Sequence, residues 1–422
     1  MTRIAIVGAG ITGLATAWLL DGTGHDVVLF ERNPWAGGHA HTLTVRRDGA
    51  DVPVDTAFSN LTTATHPTFK AFLRRLGVGV ERARATFTLY SAPERRSLMV
   101  LPSGRPAHLG AAVRPAGVRN LVAFGRAIDA AVPLETHGDW SMPVRAYLRL
   151  LPPAFAARVM GPFLAALVGT SVEEAMEFSA RAAMKFLVCP RIEGTRLALE
   201  ELRVRGGVHT YVRALLAALE KADVRLDVEV VGVRKDAGRF LLTERGGRKH
   251  SFDQVVLATP ADRTAHLLSG LAGAGPLRSL LQGIEYYETA IAVHSDPALM
   301  PRPRAAWSYV NMRVDHRGEC EKTFWCGARD GVDVFRSWVT LGTSTPRDLH
   351  AMYRYSHPRM TPGYYRTQAR LAALPPGAGG LWLAGSYLED VDTHESGLRS
   401  AMRVADALLA ASSDRRTPHD SP

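Results

Sequence analysis

Cysteine is scarce in this sequence. The 422 residues include three, Cys189, Cys320 and Cys326, an odd number without the short spacings of a metal centre. That sets aside a disulfide scaffold and a zinc site, and marks the three thiols as reduced and structural. Long apolar runs are missing too. Hydrophobic residues make up 46% of the chain, yet no run approaches the ~18 residues needed to span a bilayer. The apolar start carries a glycine turn in place of a signal-peptide cleavage pattern, so a cytoplasmic protein is the default expectation. Aromatic residues are few, at 8%, and do not interleave with the basic residues as a nucleic-acid groove requires. Nucleic acid is therefore not an expected partner. The net charge of +10 is carried by scattered arginines such as Arg74-Arg75 and Arg95-Arg96, read chiefly as solvated surface. An anionic membrane surface and an acidic carrier protein are the macromolecular partners that such a charge also suits. The sequence carries no mark of oligomeric state.

What is present begins at residue 3. An apolar strand (Arg3 to Val7) leads into Gly8-Ala9-Gly10-Ile11-Thr12-Gly13, then an apolar helix, a second strand (Asp26 to Phe30) and Glu31. A dinucleotide-binding unit needs this order: Gly8 permits a tight turn, Gly10 lets the backbone approach a diphosphate, and Gly13 lets helix and strand pack closely. The diphosphate then meets the helix N-terminus, where unpaired amides and the dipole favour negative charge. Glu31 stands where a carboxylate accepts hydrogen bonds from ribose hydroxyls and repels a 2′-phosphate. A glycine turn without a ligand is the competing reading, and the flanking strand and helix argue against it.

Along the chain this pattern stops and returns. After a helix from Pro67 to Leu76 closed by Gly77, residues 78–205 read as mainly helical and rich in Ala, Leu and Arg. From Gly206-Gly207 the nucleotide pattern resumes with a helix (Thr210 to Lys221), a strand (Arg225 to Val233), its hairpin partner (Arg239 to Glu244) and an apolar strand stopped by Thr259-Pro260. Residues 286–343 alternate aromatic and aliphatic side chains and read as sheet. Leu381 to Ser386 is a last strand entering a turn, and an amphipathic helix runs from Gly397 to Ala411. The reading is an α/β protein whose nucleotide domain is discontinuous (1–77, 206–285, 344–412), with a substrate domain from 78–205 and 286–343 and a disordered tail at 413–422.

A second glycine segment, Gly37-Gly38-His39-Ala40-His41-Thr42, follows Glu31, and Val54-Asp55-Thr56 comes next. This order resembles the flavin-containing amine oxidase and phytoene desaturase superfamily. More narrowly, the stretches at Gly37, Pro53, Gly207, His294, Ala306, Tyr355 and His394 are similar, in order and over nearly the whole chain, to FAD-binding oxidoreductases associated with cyclopropane and other modified fatty acid synthesis. The resemblance implies a tightly bound FAD in a Rossmann-like domain of the glutathione-reductase/amine-oxidase type, beside a mixed helical and β-sheet substrate domain. It implies FAD contacts from Gly8, Gly10, Ile11, Thr12, Gly13, Glu31, Arg32, Gly37, Gly38, His39, Thr56, Val230 (through its main chain, toward adenine), Thr259, Gly385, Ser386, Glu395, Gly397 and Leu398. No metal is expected.

Three departures from the family lie in loops bordering the expected flavin: Trp35 stands where the superfamily has arginine, Ala57 where the narrower family has glycine, and Tyr387 to Asp392 form an unusual acidic run. Flavin chemistry needs a substrate C–H placed over the ring and sometimes a base. The candidate bases are Glu389, His394 and His41, with Tyr387 and Tyr286 as orienting hydroxyls. For His394 a structural hydrogen bond competes equally; for the acidic run a solvated loop is favoured. The expected function is an FAD-dependent oxidoreductase (hydride abstraction, desaturation or isomerisation) acting on a small, largely apolar substrate, with a fatty-acyl chain leading. An amine oxidase in a specialised pathway and a flavin-binding partner of a carrier-bound intermediate are the alternatives.

Overall fold

The computed structural model describes residues 1–84, 86–101, 105–193, 200–342 and 345–413. The tail expected to be disordered lies, from residue 414 on, outside the described residues. Two sheets organise the rest. The first is five-stranded and parallel, in the order Leu381–Leu383, Gln254–Leu257, Arg3–Val7, Asp26–Phe30, Asp223–Arg225. Its central strands are apolar without interruption because both faces are covered. Ile4 and Ile6 pack with the helices on one face, whereas Ala5 and Val7 pack against the antiparallel meander Val230–Phe252 on the other. Each fully buried aliphatic side chain contributes roughly 1.5–3 kcal/mol.

The glycine turn sits at the carboxyl end of this sheet. A Cβ at Gly13 would stand 1.8 Å from the Gly8 carbonyl oxygen, so only glycine lets the helix Ile11–Leu20 start so close to the strand that feeds it. The final helix, His394–Ser413, lies along that helix, sharing one core through Leu14, Ala17, Leu398 and Ala401.

The second sheet has seven strands, in the order Leu349–Pro358, Tyr286–His294, Phe335–Trp338, Cys320–Trp325, Val310–Val314, Phe87–Ser91, Arg96–Val100. Helices Pro115–Thr136, Gly161–Val168 and Ala180–Ile192 cover part of one face, with Phe124, Phe163 and Met184 against Leu89 and Met312. Four boundaries differ from the sequence reading. The stretch 78–205 is not helical throughout, since Val80–Arg84, Phe87–Ser91, Arg96–Val100 and Glu200–Val204 are strands. The strand Leu349–Pro358 belongs to the seven-stranded sheet, where it pairs with Tyr286–His294, and not to the nucleotide unit. As an edge strand with exposed alternate residues it lacks a strong apolar signature. The segment read as one strand from Arg225 to Val233 is two, in different sheets, turned apart at Asp227 with φ 58°. The last helix begins at His394 rather than Gly397. No helix among the described residues is long and apolar enough to cross a membrane.

Candidate active site

One cavity of about 890 Å³ runs from the glycine turn to the face of the seven-stranded sheet. At its first end lie Gly8, Gly10, Ile11, Thr12, Glu31, Arg32, Val230, Thr259 and Arg263. Glu31 is held firmly: one carboxylate oxygen accepts from the Ala9 amide at 2.8 Å and the other from the Asn33 amide at 3.0 Å and its side-chain nitrogen at 2.8 Å. No side chain caps the helix Ile11–Leu20, whose N-terminus is at Gly10. A Cβ built on Gly10 would meet nothing within 4 Å, so this backbone faces open cavity. These are the terms on which a diphosphate binds: bare amides, a positive helix end and room for close approach.

The second helix N-terminus converges on the same place. A Cβ at Gly397 would lie 2.8 Å from Thr12 Oγ1 and 3.2 Å from Ile11 Cγ2, so glycine is what lets the helix His394–Ser413 reach the turn. Gly37, Gly38, His39, Gly385, Ser386 and Gly397 line the middle of the cavity between these two helix ends. The Gly37 amide donates to the Ala9 carbonyl at 2.8 Å, which ties the second glycine segment to the first.

Beyond them stand the titratable groups. His394 lies parallel to Phe58, with ring centroids 3.7 Å apart, and its Nε2 is buried without a partner. Burial pushes its imidazole well below the usual range, with His66 and His39 adding repulsion, so it is neutral at pH 7. Burial and His357 lower His39 to about 4. Burial alone would raise the Asp392 carboxyl, but the His357 contact at 3.6 Å and a 2.5 Å hydrogen bond from Ser386 Oγ hold it below the carboxylate range. Tyr387 is buried against Gly385, and burial raises its phenol. His41 lines the cavity half-buried, its Nδ1 3.2 Å from Thr56 Oγ1.

The sequence-predicted residues therefore divide. Gly8, Gly10, Ile11, Thr12, Glu31, Arg32, Gly37, Gly38, His39, Val230, Thr259, Gly385, Ser386 and Gly397 line the cavity, with His394, Tyr387 and His41 of the proposed chemistry. Gly13 acts by packing. Four others, Glu389, Glu395, Leu398 and Thr56, are not among the residues lining the cavity. Glu389 points away from the cavity and pairs with Arg403 and, at 3.7 Å, Arg399 on the outer face of the last helix. Glu395 accepts from the amides of Thr68 at 3.1 Å and Phe69 at 2.7 Å, closing the N-terminus of helix Pro67–Arg75. Leu398 is core, beside Leu14. Thr56 is wholly buried and bonds to the His41 carbonyl and Tyr355 hydroxyl. For Glu395 and Leu398, which flank the lining residues His394 and Gly397, the helical register turns the side chain elsewhere.

Residues 11–294 match the flavin-containing amine oxidoreductase family. The chain belongs to that family. Its members are FAD-dependent oxidoreductases, and FAD is the cofactor that the glycine cradle, Glu31 and the uncapped N-terminus of helix Ile11–Leu20 fit. A segment of 47 residues is 43% identical to the L-amino-acid oxidase of Pseudechis australis, covering 11% of this chain and 9% of the relative. The match thus spans under a tenth of that relative's length. Cyclohexylamine oxidase from Brevibacterium oxydans IH-35A shares the fold, with a TM-score of 0.70 at 17% identity over 98% of this chain and 99% of its own. So does the CLA-producing fatty acid isomerase from P. acnes, with a TM-score of 0.68 at 14% identity over 96% and 98%.

Sequence reasoning missed the residues that the sheet contributes. Phe324, Arg336, Trp338, Tyr353, Tyr355, His357 and Lys322 all line the cavity. Period-two alternation was there to be read in each strand, but which face meets the cavity is set by a sheet that joins residues 87–100 to strands between 286 and 358.

Proposed function

We propose that this oxidoreductase takes hydride from, desaturates or isomerises a largely apolar substrate, and that the substrate is of the fatty-acyl class. The observation that carries this reading is the wall opposite the glycine turn: Phe58, Leu167, Phe186, Phe324, Trp338 and Tyr353 line it. A long apolar chain gains burial there, at roughly 25 cal/mol per Å² removed from water. At the sheet face Lys322 and Arg336 would repel an ammonium group, and burial strengthens that repulsion.

Bound FAD supplies a hydride acceptor or donor. The chain's own residues supply the rest. In this reading His394, which lines the cavity and whose neutral Nε2 has no protein partner, accepts a proton from substrate carbon or returns one. Phe58 stacked on the ring fixes its orientation. Asp392, kept ionised by His357 and Ser386, holds a negative charge beside the histidines and stabilises positive charge that develops there. Tyr387 and Phe58 exclude water from this end.

The test is an anaerobic titration of purified holoprotein with oleate and with hexylamine, reading the flavin band near about 450 nm and analysing the recovered lipid by gas chromatography. Bleaching or a new double-bond isomer with oleate supports the reading. Bleaching by hexylamine with neither change in oleate overturns it.

A further inference from the structure

We propose that Lys322 and Arg336 form an anchor for a carboxylate, so that the substrate is an apolar acid bound by its charged head at the sheet face. This rests on the apolar-substrate reading above and names the polar end of that substrate. Register builds the pair. Arg336 lies directly opposite Phe324 on the neighbouring strand, Trp338 is two residues beyond Arg336, and Lys322 two before Phe324, so all four share one face of the sheet. Both cations lie over the indole of Trp338, the Lys322 ammonium 4.0 Å and the Arg336 guanidinium 5.1 Å from its centroid. They are neighbours across one ring, and both line the cavity.

Burial makes the arrangement costly unless something answers it. Lys322 is 8% exposed and Arg336 2%. Among the described residues neither forms an ion pair with a carboxylate. Lys322 Nζ donates to the Leu167 carbonyl at 2.7 Å. Arg336 donates to the carbonyls of Asp55 and Ala57 and to Ser59 Oγ at 2.9 Å, and its Nε is buried with no partner. The Asp55 carboxylate is engaged elsewhere, accepting from Thr42 Oγ1 at 2.6 Å and the Val208 amide at 2.9 Å. Buried cations are ordinarily paired. Here two stand together on the cavity lining, flanked by Phe324 and Trp338, and their hydrogen bonds go to neutral oxygens only. A carboxylate head satisfies that geometry, since it accepts from an ammonium and a guanidinium at once, while its apolar tail follows the aromatic wall. A neutral amide accepts the same bonds without answering the charge, and an ammonium head adds to it.

Calorimetric titration of the holoprotein with octanoate and with octanamide, equal in size and differing in charge, tests the anchor. Octanoate is expected to bind about tenfold more tightly or better, the worth of one charge-assisted hydrogen bond. Lys322→Met should reduce that ratio to about threefold or less, while Lys322→Arg keeps most of it, because a guanidinium also serves a carboxylate. Equal binding of the two probes by the unaltered protein overturns the inference, as does a ratio unchanged in Lys322→Met. Flavin content read on the same samples separates the two proposals. Absence of flavin defeats the oxidoreductase reading, whereas bound flavin with no preference for octanoate defeats only the anchor.

Discussion

Replacing Lys322 with methionine should stabilise this protein, and by an amount that depends on pH. Burial, reinforced by the Arg336 charge, lowers the Lys322 ammonium from its ordinary 10.5 to about 7. That drop corresponds to about 5 kcal/mol against the folded state when the lysine is charged. The sign follows from proton binding. Between pH 7 and 10.5 the unfolded chain holds a proton that the folded chain does not, so the lysine's contribution to stability rises with pH across that window. Below pH 7 the full penalty applies. Methionine fills a similar volume and removes the charge, but it leaves the Leu167 carbonyl without its donor, which costs about 1 kcal/mol. The expected gain is therefore about 3–4 kcal/mol at pH 6.5, shrinking toward zero by pH 10. Urea unfolding of both holoproteins, followed by circular dichroism at pH 6.5, 8 and 9.5, measures it. A variant less stable than the parent at pH 6.5, or a difference that does not fall with pH, would refute the reasoning. A gain paired with loss of octanoate preference would show a buried charge kept for binding at the expense of stability.

Other consequences are open to measurement. Gly397→Ala places a methyl 2.8 Å from Thr12 Oγ1, and should weaken FAD retention by about ten- to a hundredfold, as overpacking of 1–3 kcal/mol implies. Adding Thr12→Ala should restore part of it, and full additivity in that double-mutant cycle would contradict the contact. Glu389→Gln should leave flavin content and turnover within about twofold, since its partners are Arg399 and Arg403; a large loss would return Glu389 to the site. Glu395→Gln should cost roughly 1–2 kcal/mol in denaturant unfolding by weakening the cap on helix Pro67–Arg75. His39 and His66 are both lowered to about 4 by burial, and His394 falls well below the usual range. The unfolded chain takes up these protons first, so the stability they confer is whole above pH 6.5 and lost as pH falls toward 4. Flavin release should track that window, and retention of FAD down to pH 4 would count against it.

The cofactor end of the cavity could be read from the sequence because its determinants are local. Gly8, Gly10 and Gly13 act within one strand, turn and helix, and Glu31 follows at the end of the next strand, so spacing alone fixes their relation. Glu389 and Glu395 show where that stops. Both sit in a motif that borders the flavin, yet one faces outward to Arg403 and the other backward to Phe69, because side-chain direction depends on how the last helix meets its neighbours. His394 lines the cavity, but its neutrality comes from Phe58 and the burial around it, which no local pattern records.

What the sequence determined by itself was the family, the cofactor and the glycine cradle, each written in short segments whose geometry is nearly autonomous. Only the tertiary structure decided the substrate end. Lys322, Arg336, Trp338 and Tyr353 come from strands that are ordinary in isolation. They become one face of one site when residues 87–100 and 349–358 join the sheet of 286–338. Pairing of strands distant in sequence depends on long-range burial and register, and those are properties of the folded chain rather than of any window along it.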